Sequence, residues 1–575
     1  MLLPDLPEDI LVHIVTFLDV PDILCFRRTC KRFYGISNLT IVWINAWETH
    51  ISRNRYPFPS TISSMADAKN WTEQHETSRT CFSIQAMSRA ELEQRTRHAY
   101  RLARKWLQPD HPELTESSFE CIYALRPHRT TKWPVSPSIS ITDVRFVRSV
   151  RRGPSNLATV ESILVLSVSK GIWSVITIWD VPIFPYGNDH VQQHPRKCAE
   201  WSPKGGLFTG LCLSRNHGSE ADLAVSVVCE GRHEIDLFKI SDVGELLPIC
   251  TVPSVPVRTS VTPTEEGSSS LRTMPPMKPM TLSGQLLAMS DDIASTVIYN
   301  WKTGAFAVLE HEEDEVGVWK HDHIIQVVFA YRSILVVRAR SVHLFPEPEL
   351  CLASPSPVDP TTAFSIPPPG LPIYSPIANH SFGWVDGVSV VPTYSEPSSC
   401  SQPGTLHLLV RLQSDNPWRA NEHSLDLYEL SLNPNFGAPA LVVHEQSTAT
   451  QCPYLFPPIC TSRVSTTRGP LRCTDLALGR CGTAIWIRPG ERASLGLVSG
   501  VFSSLVPEIL EFESEIASEN LVAGIFPGSL NPYGNVRTRR ICSNVANNWT
   551  ALDYDEAMGL LFLGDATGSV SMLEL

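Results

Sequence analysis

Between residues 162 and 573 the chain repeats one short unit seven times: a run rich in Val, Ile, Leu and Thr, a tight turn, and a second such run. The first copy is Ser162 to Ser169, a turn at Gly171, and Ser174 to Asp180, which closes on Trp179-Asp180. The unit returns at Asp222 to Cys229 with Glu234 to Ile240, at Gly284 to Ser290 with Thr296 to Trp301, and at Ser333 to Val337 with Ser341 to Phe345. It returns again at Thr405 to Leu412 with Ser424 to Leu430, at Asp475 to Leu478 with Thr483 to Ile487, and at Leu560 to Gly564 with Ser569 to Leu573. Short runs of this composition bounded by Gly, Pro, Asn and Asp are strands, and a pair of them about a tight turn is a hairpin. A lone hairpin is not stable in water, so the copies must bury their faces on one another. An apolar or aromatic residue in each second strand gives every copy the same face to bury, which favours radial repetition. A pair of sandwiches, or an irregular β domain, is the alternative.

The last copy, Gly559 to Val570, resembles the centre of a WD-type repeat, with Asp565 to Gly568 as its tight turn. That resemblance implies a β-propeller of seven blades. Residues 135 to 575 allow each blade about 63 residues, against about 40–45 for a clean repeat. The surplus falls in Pro- and Ser-rich stretches at about 253–280, 346–376 and 395–404, whose composition reads as loop insertions. The final hairpin ends at Leu573, which leaves its sheet without an outer strand. An open edge invites aggregation, so the expected donor is Phe119 to Leu125, ahead of the first hairpin.

The N-terminal tenth follows a different period. Ile10, Leu11, Ile14, Phe17 and Leu18 fall at the i, i+3, i+4, i+7, i+8 spacing of an amphipathic helix, with Pro7 suited to its first position and Glu8 and Asp9 in its first turn. Asp19 and Pro21 start a second helix carrying Ile23, Leu24 and Phe26. Cys30 to Tyr34 give a third, with Gly35 as the expected stop, and Val42-Trp43 follows a break. Leu6-Pro7, Ile10-Leu11, Ile14, Leu18, Asp22-Ile23-Leu24, Cys30-Lys31-Arg32-Phe33 and Val42-Trp43 together resemble the F-box, with Val42 and Phe33 as mild departures. The resemblance implies docking of a Skp-type adaptor, and through it a cullin scaffold. It carries the adaptor contacts onto Leu6, Pro7, Ile10, Leu11, Ile14, Leu18, Ile23, Leu24, Cys30 and Trp43. A module near 40 residues is expected to leave its core for the partner to close.

Ser88 and Glu91 form a capping box ahead of Leu92, Thr96, Ala99, Leu102 and Trp106 at helical spacing, so a linker helix is expected up to Pro109. Its other side, with Arg95, Arg97, Arg101, Arg104 and Lys105, reads as a solvated face. The expected organisation is F-box at 1–50, helical linker at 51–114 and propeller at 115–575, an α+β multidomain chain.

A formal charge of -12 argues against nucleic acid as the main partner. No run approaches the roughly 18 apolar residues of a membrane span, and the acidic, Pro-interrupted N-terminus is not a signal peptide. The 15 scattered cysteines contain no C-x-x-C pair, which suggests reduced thiols in the cytoplasm or nucleus and neither a disulfide framework nor a zinc site. No nucleophile elbow, P-loop, H-E-x-x-H or dinucleotide fingerprint occurs, so no catalytic, metal or cofactor residues are expected. The acidic runs Glu310 to Glu315 and Glu508 to Glu519 read as loops or solvated faces. Arg145, Arg148, Arg151 and Arg152 with Arg537, Arg539 and Arg540 form a candidate phosphate-reading patch. The resulting expectation is a non-catalytic substrate receptor of a Skp/cullin/F-box ubiquitin ligase, with an unidentified client protein on the propeller. The alternatives are a non-degradative F-box/propeller scaffold and an enzyme using the propeller's channel.

Overall fold

A computed structural model describes residues 6–58, 87–107, 120–125, 139–152, 160–183, 195–214, 219–252, 276–291, 295–310, 322–352, 373–393, 404–413, 423–436, 452–466, 476–488, 518–528, 530–532 and 534–575. Five α-helices come first: α1 (Glu8–Val15), α2 (Val20–Arg27), α3 (Lys31–Ser37), α4 (Thr40–Ala46), which runs on into a π-turn over Trp47–Ser52, and α5 (Arg89–Leu107). Pro7 caps α1 rather than starting it, with φ -52 and ψ 153. Beyond Val15 the backbone tightens into i to i-3 bonds, Phe17 N to Ile14 O and Leu18 N to Val15 O at 3.1 Å, so Phe17 and Leu18 leave the helix they were expected to extend. Gly35 does not stop α3, which continues to Ser37.

The remainder is seven sheets in sequence order. Blade 1 is Ser140–Arg152, Val160–Lys170, Ser174–Ile183 and Arg196–Trp201. Blade 2 is Leu207–Leu213, Leu223–Cys229, Arg232–Ile240 and Leu246–Val252, and blade 3 is Lys278–Ser283, Leu286–Ser290, Thr296–Asn300 and Ala305–Leu309. Blade 4 is Ile324–Ala330, Ser333–Arg338, Ser341–Pro346 and Ala378–Ser381, and blade 5 is Trp384–Pro392, Leu406–Gln413, His423–Leu430 and Ile459–Thr466. Blade 6 is Leu476–Leu478, Thr483–Arg488, Glu519–Ile525 and Arg537–Asn544. Blade 7 takes Trp549–Asp555, Leu560–Asp565 and Val570–Glu574 from the end of the chain and Glu120–Leu125 from before blade 1.

Radial packing explains why the hairpins read as continuous apolar runs instead of alternating ones. In Val160–Lys170 every side chain from Ser162 to Ser169 is buried. Ile163 and Val165 turn to blade 7, among Phe562 and Met572, while Leu164 and Leu166 turn to blade 2, among Leu223 and Val225. Each of the other blade junctions has its own such cluster, so both faces of every sheet are core. Hydrogen bonds between first strands join several junctions, as in Phe146 N to Asp553 Oδ2 at 2.6 Å and Leu478 N to Ser389 Oγ at 3.1 Å.

Six of the seven expected hairpins are the second and third strands of their blades. The exception, ending Leu476–Leu478 with Thr483–Arg488, is the first and second strands of blade 6. Its third strand, Glu519–Ile525, lies beyond residues 489–517, and that separation hid the pairing from a local reading. The run Glu508 to Glu519 is corrected at its described end: Glu519 is buried in that strand and accepts from Asn544 Nδ2 and Trp549 N, both at 2.7 Å. Of Glu310 to Glu315, all but Glu310 lies outside the described residues, as does the core of the insertion near 395–404. The insertion at 346–376 does more than loop out. Its ends supply Cys351–Leu352 and Ile373–Tyr374, which pair with the outer strand of blade 3 and cover that edge. Tyr374 OH accepts from Glu349 N at 2.8 Å and ties the two ends together.

The tight turn at Asp565 forms as expected. Thr567 N and Ser569 N donate to Asp565 Oδ1 at 2.8 and 2.9 Å, and Gly568 takes φ +82. The donor strand is also in place, with Glu120 opposite Glu574 and Leu125 opposite Val570. The ring is therefore closed by pairing the two ends of the β half. Removing residues 572–575 takes away part of both that pairing and the one with Leu560–Asp565. The expected outcome is a single lowered melting transition for the whole propeller by calorimetry, whereas loss of local signal with an unchanged main transition would contradict closure.

Candidate functional site

The N-terminal helices are short because each is held by packing rather than by length. Leu11 and Val15 of α1, Val20 and Ile23 of α2, Phe33 and Ile36 of α3, and Val42 and Trp43 of α4 share one core, and Phe26 stacks on Phe33 with ring centroids 3.9 Å apart. Trp43 is fully buried and spends its indole N–H on Ser37 O at 2.9 Å. The core does not wait for a partner: Leu92 and Ala99 of α5 close it. Arg27 bridges the same junction, donating to Glu93 Oε1 and Oε2 at 2.8 and 2.9 Å and to Ser37 Oγ at 3.0 Å, with its guanidinium 5.6 Å from the Trp43 ring.

This packing sorts the ten expected contact residues. Leu11, Ile23 and Trp43 are core, each on the inward side of its helix. Leu6, Ile14, Leu18, Leu24 and Cys30 are half-buried at the margin of that core. Pro7 and Ile10 stand at the surface. Ile10 is 43% exposed and Phe17 76%, the latter edge-on to His13. Helix α1 and its following turn are thus apolar on two sides, Leu11 and Val15 inward and Ile10 and Phe17 outward, with Ile14 between them. Phe17, Tyr34 and Ile41 are exposed apolar residues missing from the expected set, although Phe17 lies seven residues after Ile10 on the sequence pattern.

Helix α5 continues into the β half. Ser88 caps it as expected, accepting from Glu91 N at 3.3 Å, and Leu92, Thr96, Ala99, Leu102 and Trp106 are all buried. Leu102, Ala103 and Trp106 pack on the junction of blades 6 and 7, among Ile485, Leu561 and Leu573. Arg539 lies 5.3 Å over the Trp106 ring and donates to Lys105 O at 2.9 Å, and His98 Nε2 bonds Ala557 O at 3.1 Å. Arg95 departs from the expected solvated face: it is buried and paired with Glu91 at 2.8 Å. Beneath α5, Glu556 accepts from Cys481 N at 3.0 Å and from Thr483 Oγ1, and burial still pushes its carboxyl up. Gly479 has no room for a Cβ because the Glu556 carboxylate occupies that space.

The arginine patch does not assemble. Arg145 and Arg148 are on the innermost strand of blade 1, where Arg145 pairs with Asp143 at 2.8 Å and Arg148 with Asp222 at 3.5 Å. Arg151 and Arg152 end that strand, while Arg537, Arg539 and Arg540 are on the outermost strand of blade 6. Burial raises the Asp143 carboxyl, Arg145 opposing it, and pushes the Cys212 thiol up to about 12. Such a thiol is a packed hydrophobe rather than a nucleophile. Among the described residues no group of three His, Cys, Asp or Glu could hold a metal ion, and no helix is long and apolar enough to cross a membrane.

Two substitutions separate the inward side from the outward one. Leu11→Ala should lower stability by about 3 kcal/mol, and Phe17→Ala by less than about 0.5 kcal/mol, as read by chemical denaturation of the full chain.

The F-box-like family matches residues 3–47. No protein of curated function matches the sequence. Among solved structures the chain is similar to one from a humanized mutant of the Chaetomium thermophilum Polycomb Repressive Complex 2 bound to an inhibitor. That likeness has 10% identity over 80% of this chain and 97% of that one, with a TM-score of 0.41. It is similar also to the β-propeller domain of Myceliophteria thermophila Cps50 (Swd1), at 10% identity over 80% of this chain and 99% of that one, with a TM-score of 0.39. With its F-box-like helices at the N-terminus and seven blades after them, the chain is an F-box protein with a C-terminal β-propeller.

Proposed function

We propose that this protein is the substrate-recognition subunit of a Skp/cullin/F-box ubiquitin ligase working in the cytoplasm or nucleus. In this reading residues 1–50 dock the adaptor, 51–114 link, and 115–575 present a client protein. The observation that carries it is the second apolar side of α1. Pro7 at the cap of α1, Ile10 on it and Phe17 in the turn after it face solvent while the inward side of the helix is already satisfied, and apolar groups exposed together mark a docking surface. Leu6, Ile14, Leu18, Leu24 and Cys30 would border the contact, with Leu11, Ile23 and Trp43 as the floor that holds the helices in place. The chain itself would do no chemistry. Binding adaptor and client on one chain would make ubiquitin transfer effectively intramolecular, the source of large rate gains in positioned reactions.

The double variant Ile10→Asp/Phe17→Asp should lose adaptor capture by at least about 100-fold while keeping the wild-type melting temperature, because both side chains are exposed. Leu6→Ala/Pro7→Ala should weaken it in the same direction. Undiminished capture by both variants would refute the docking assignment. Accumulation of the protein's bound clients under proteasome inhibition, abolished by Ile10→Asp/Phe17→Asp, distinguishes a ligase receptor from a non-degradative scaffold.

A further inference from the structure

Within each blade the first-to-second and third-to-fourth turns lie on one face of the ring, and the second-to-third turns and blade-to-blade connections on the other. Helix α5 sits on the former, since it meets the turns holding Ala557 and Gly559 and its neighbours reach Cys481. On the opposite face the turn at Gly171 to Trp173 in blade 1 meets the connection into blade 2. Ser174 N donates to Gly206 O at 2.9 Å, Phe208 N to Ser174 Oγ at 3.0 Å and Ser202 Oγ to Ser174 O at 2.8 Å. Cys229 Sγ donates to Lys204 O at 3.4 Å and draws in the blade 2 turn that carries Glu230 to Arg232.

Three large apolar side chains are exposed around this meeting point: Ile172 at 73%, Trp173 at 43% and Leu207 at 38%. Trp201 and Phe208, half-buried and stacked 5.4 Å apart, lie directly beside them. Lys170, Lys204 and Arg232 are exposed here, and none makes an ion pair among the described residues; Glu230 and Glu234 are acids of the blade 2 hairpin, and Glu200, next to Trp201, is paired with Lys197. The backbone between the blades is fixed by packing, because a Cβ on Gly206 would meet Pro203 Cγ at 2.5 Å and Val227 Cγ1 at 3.1 Å.

We infer that this surface at the junction of blades 1 and 2 docks an acidic peptide segment of the client that carries a bulky apolar anchor. The inference deepens the substrate-receptor reading and rests on it. Exposed Trp on a rigid surface is the kind of residue that carries most of an interface's binding energy, and a preformed backbone lowers the cost of ordering a peptide against it. Charge selects the partner. A chain of formal charge -12 repels an acidic segment at long range, so unpaired Lys170, Lys204 and Arg232 give such a segment a favourable landing place and a register.

The probe is a labelled synthetic peptide of Glu and Asp residues around a Leu-Phe pair, titrated by fluorescence anisotropy into the full chain. Binding is expected, weakening about tenfold or more in Trp173→Ala, in Lys204→Glu/Arg232→Glu, and as salt is raised through the physiological range. Replacing the acids of the peptide by Gln and Asn, or its Leu-Phe by Ala-Ala, should produce the same loss. Both protein variants should retain adaptor capture and melting temperature, because the altered side chains are exposed. Failure of the peptide to bind while adaptor capture persists would overturn this site and leave the receptor reading standing. Equal affinity in Trp173→Ala, stronger binding of a phosphoserine peptide without the apolar pair, or a self-association lost in Trp173→Ala would each overturn it too, the last by making a second copy the occupant.

Discussion

Helix α5 is the contact on which the arrangement of the molecule depends. Its 19 residues carry one apolar stripe in which Leu92 and Ala99 complete the N-terminal core and Leu102, Ala103 and Trp106 complete the junction of blades 6 and 7. A helix of that length is a rod of about 28 Å. Because both ends are buried in different cores, the small helical module cannot swivel on the propeller without exposing one of them. The polar contacts agree with this. Glu93 holds Arg27 at one end and Arg539 holds Lys105 O at the other, so the rod is pinned in rotation as well as in position.

The second constraint is the management of sheet edges. A ring of separate sheets solves the inner edges by crowding the first strands around the axis, but each blade keeps an outer edge. Two blades take outer strands from distant sequence. Blade 7 uses Glu120–Leu125, and blade 3 adds Cys351–Leu352 and Ile373–Tyr374 from the insertion in blade 4. Both devices couple parts of the chain that no local hairpin would connect. The loop-closure cost grows only slowly with length, so long insertions are compatible with this architecture, and here one of them is used structurally.

The two faces of the ring are consequently different in kind. One carries α5 at the junction of blades 6 and 7, with Glu556, Tyr554 and Thr483 bonded beneath it. The other keeps Ile172, Trp173 and Leu207 in solvent.

The apolar periodicity that forms α1 up to Val15, the seven hairpins and the missing outer strand of the last one were all written locally, and local patterns survive translation into structure because neighbouring residues share a strand or a helical turn. The strand donor was legible for a different reason: an unpaired edge is a deficit that some other segment must meet. What the sequence could not decide was which apolar residue faces which neighbour. Leu11 and Ile10 are adjacent and similarly hydrophobic, yet one is core and the other solvent-facing, because α3 and α4 pack against only one side of α1. The two arginine groups look alike in sequence, but radial packing puts Arg145 on the innermost strand of blade 1 against Asp143, and Arg539 on the outermost strand of blade 6 against Trp106. The exposed Trp173 lies next to the buried Ser174 for the same reason: a turn at the face of a ring leaves the sheet's two-sided burial within one residue, and only closure of the ring determines where that face lies.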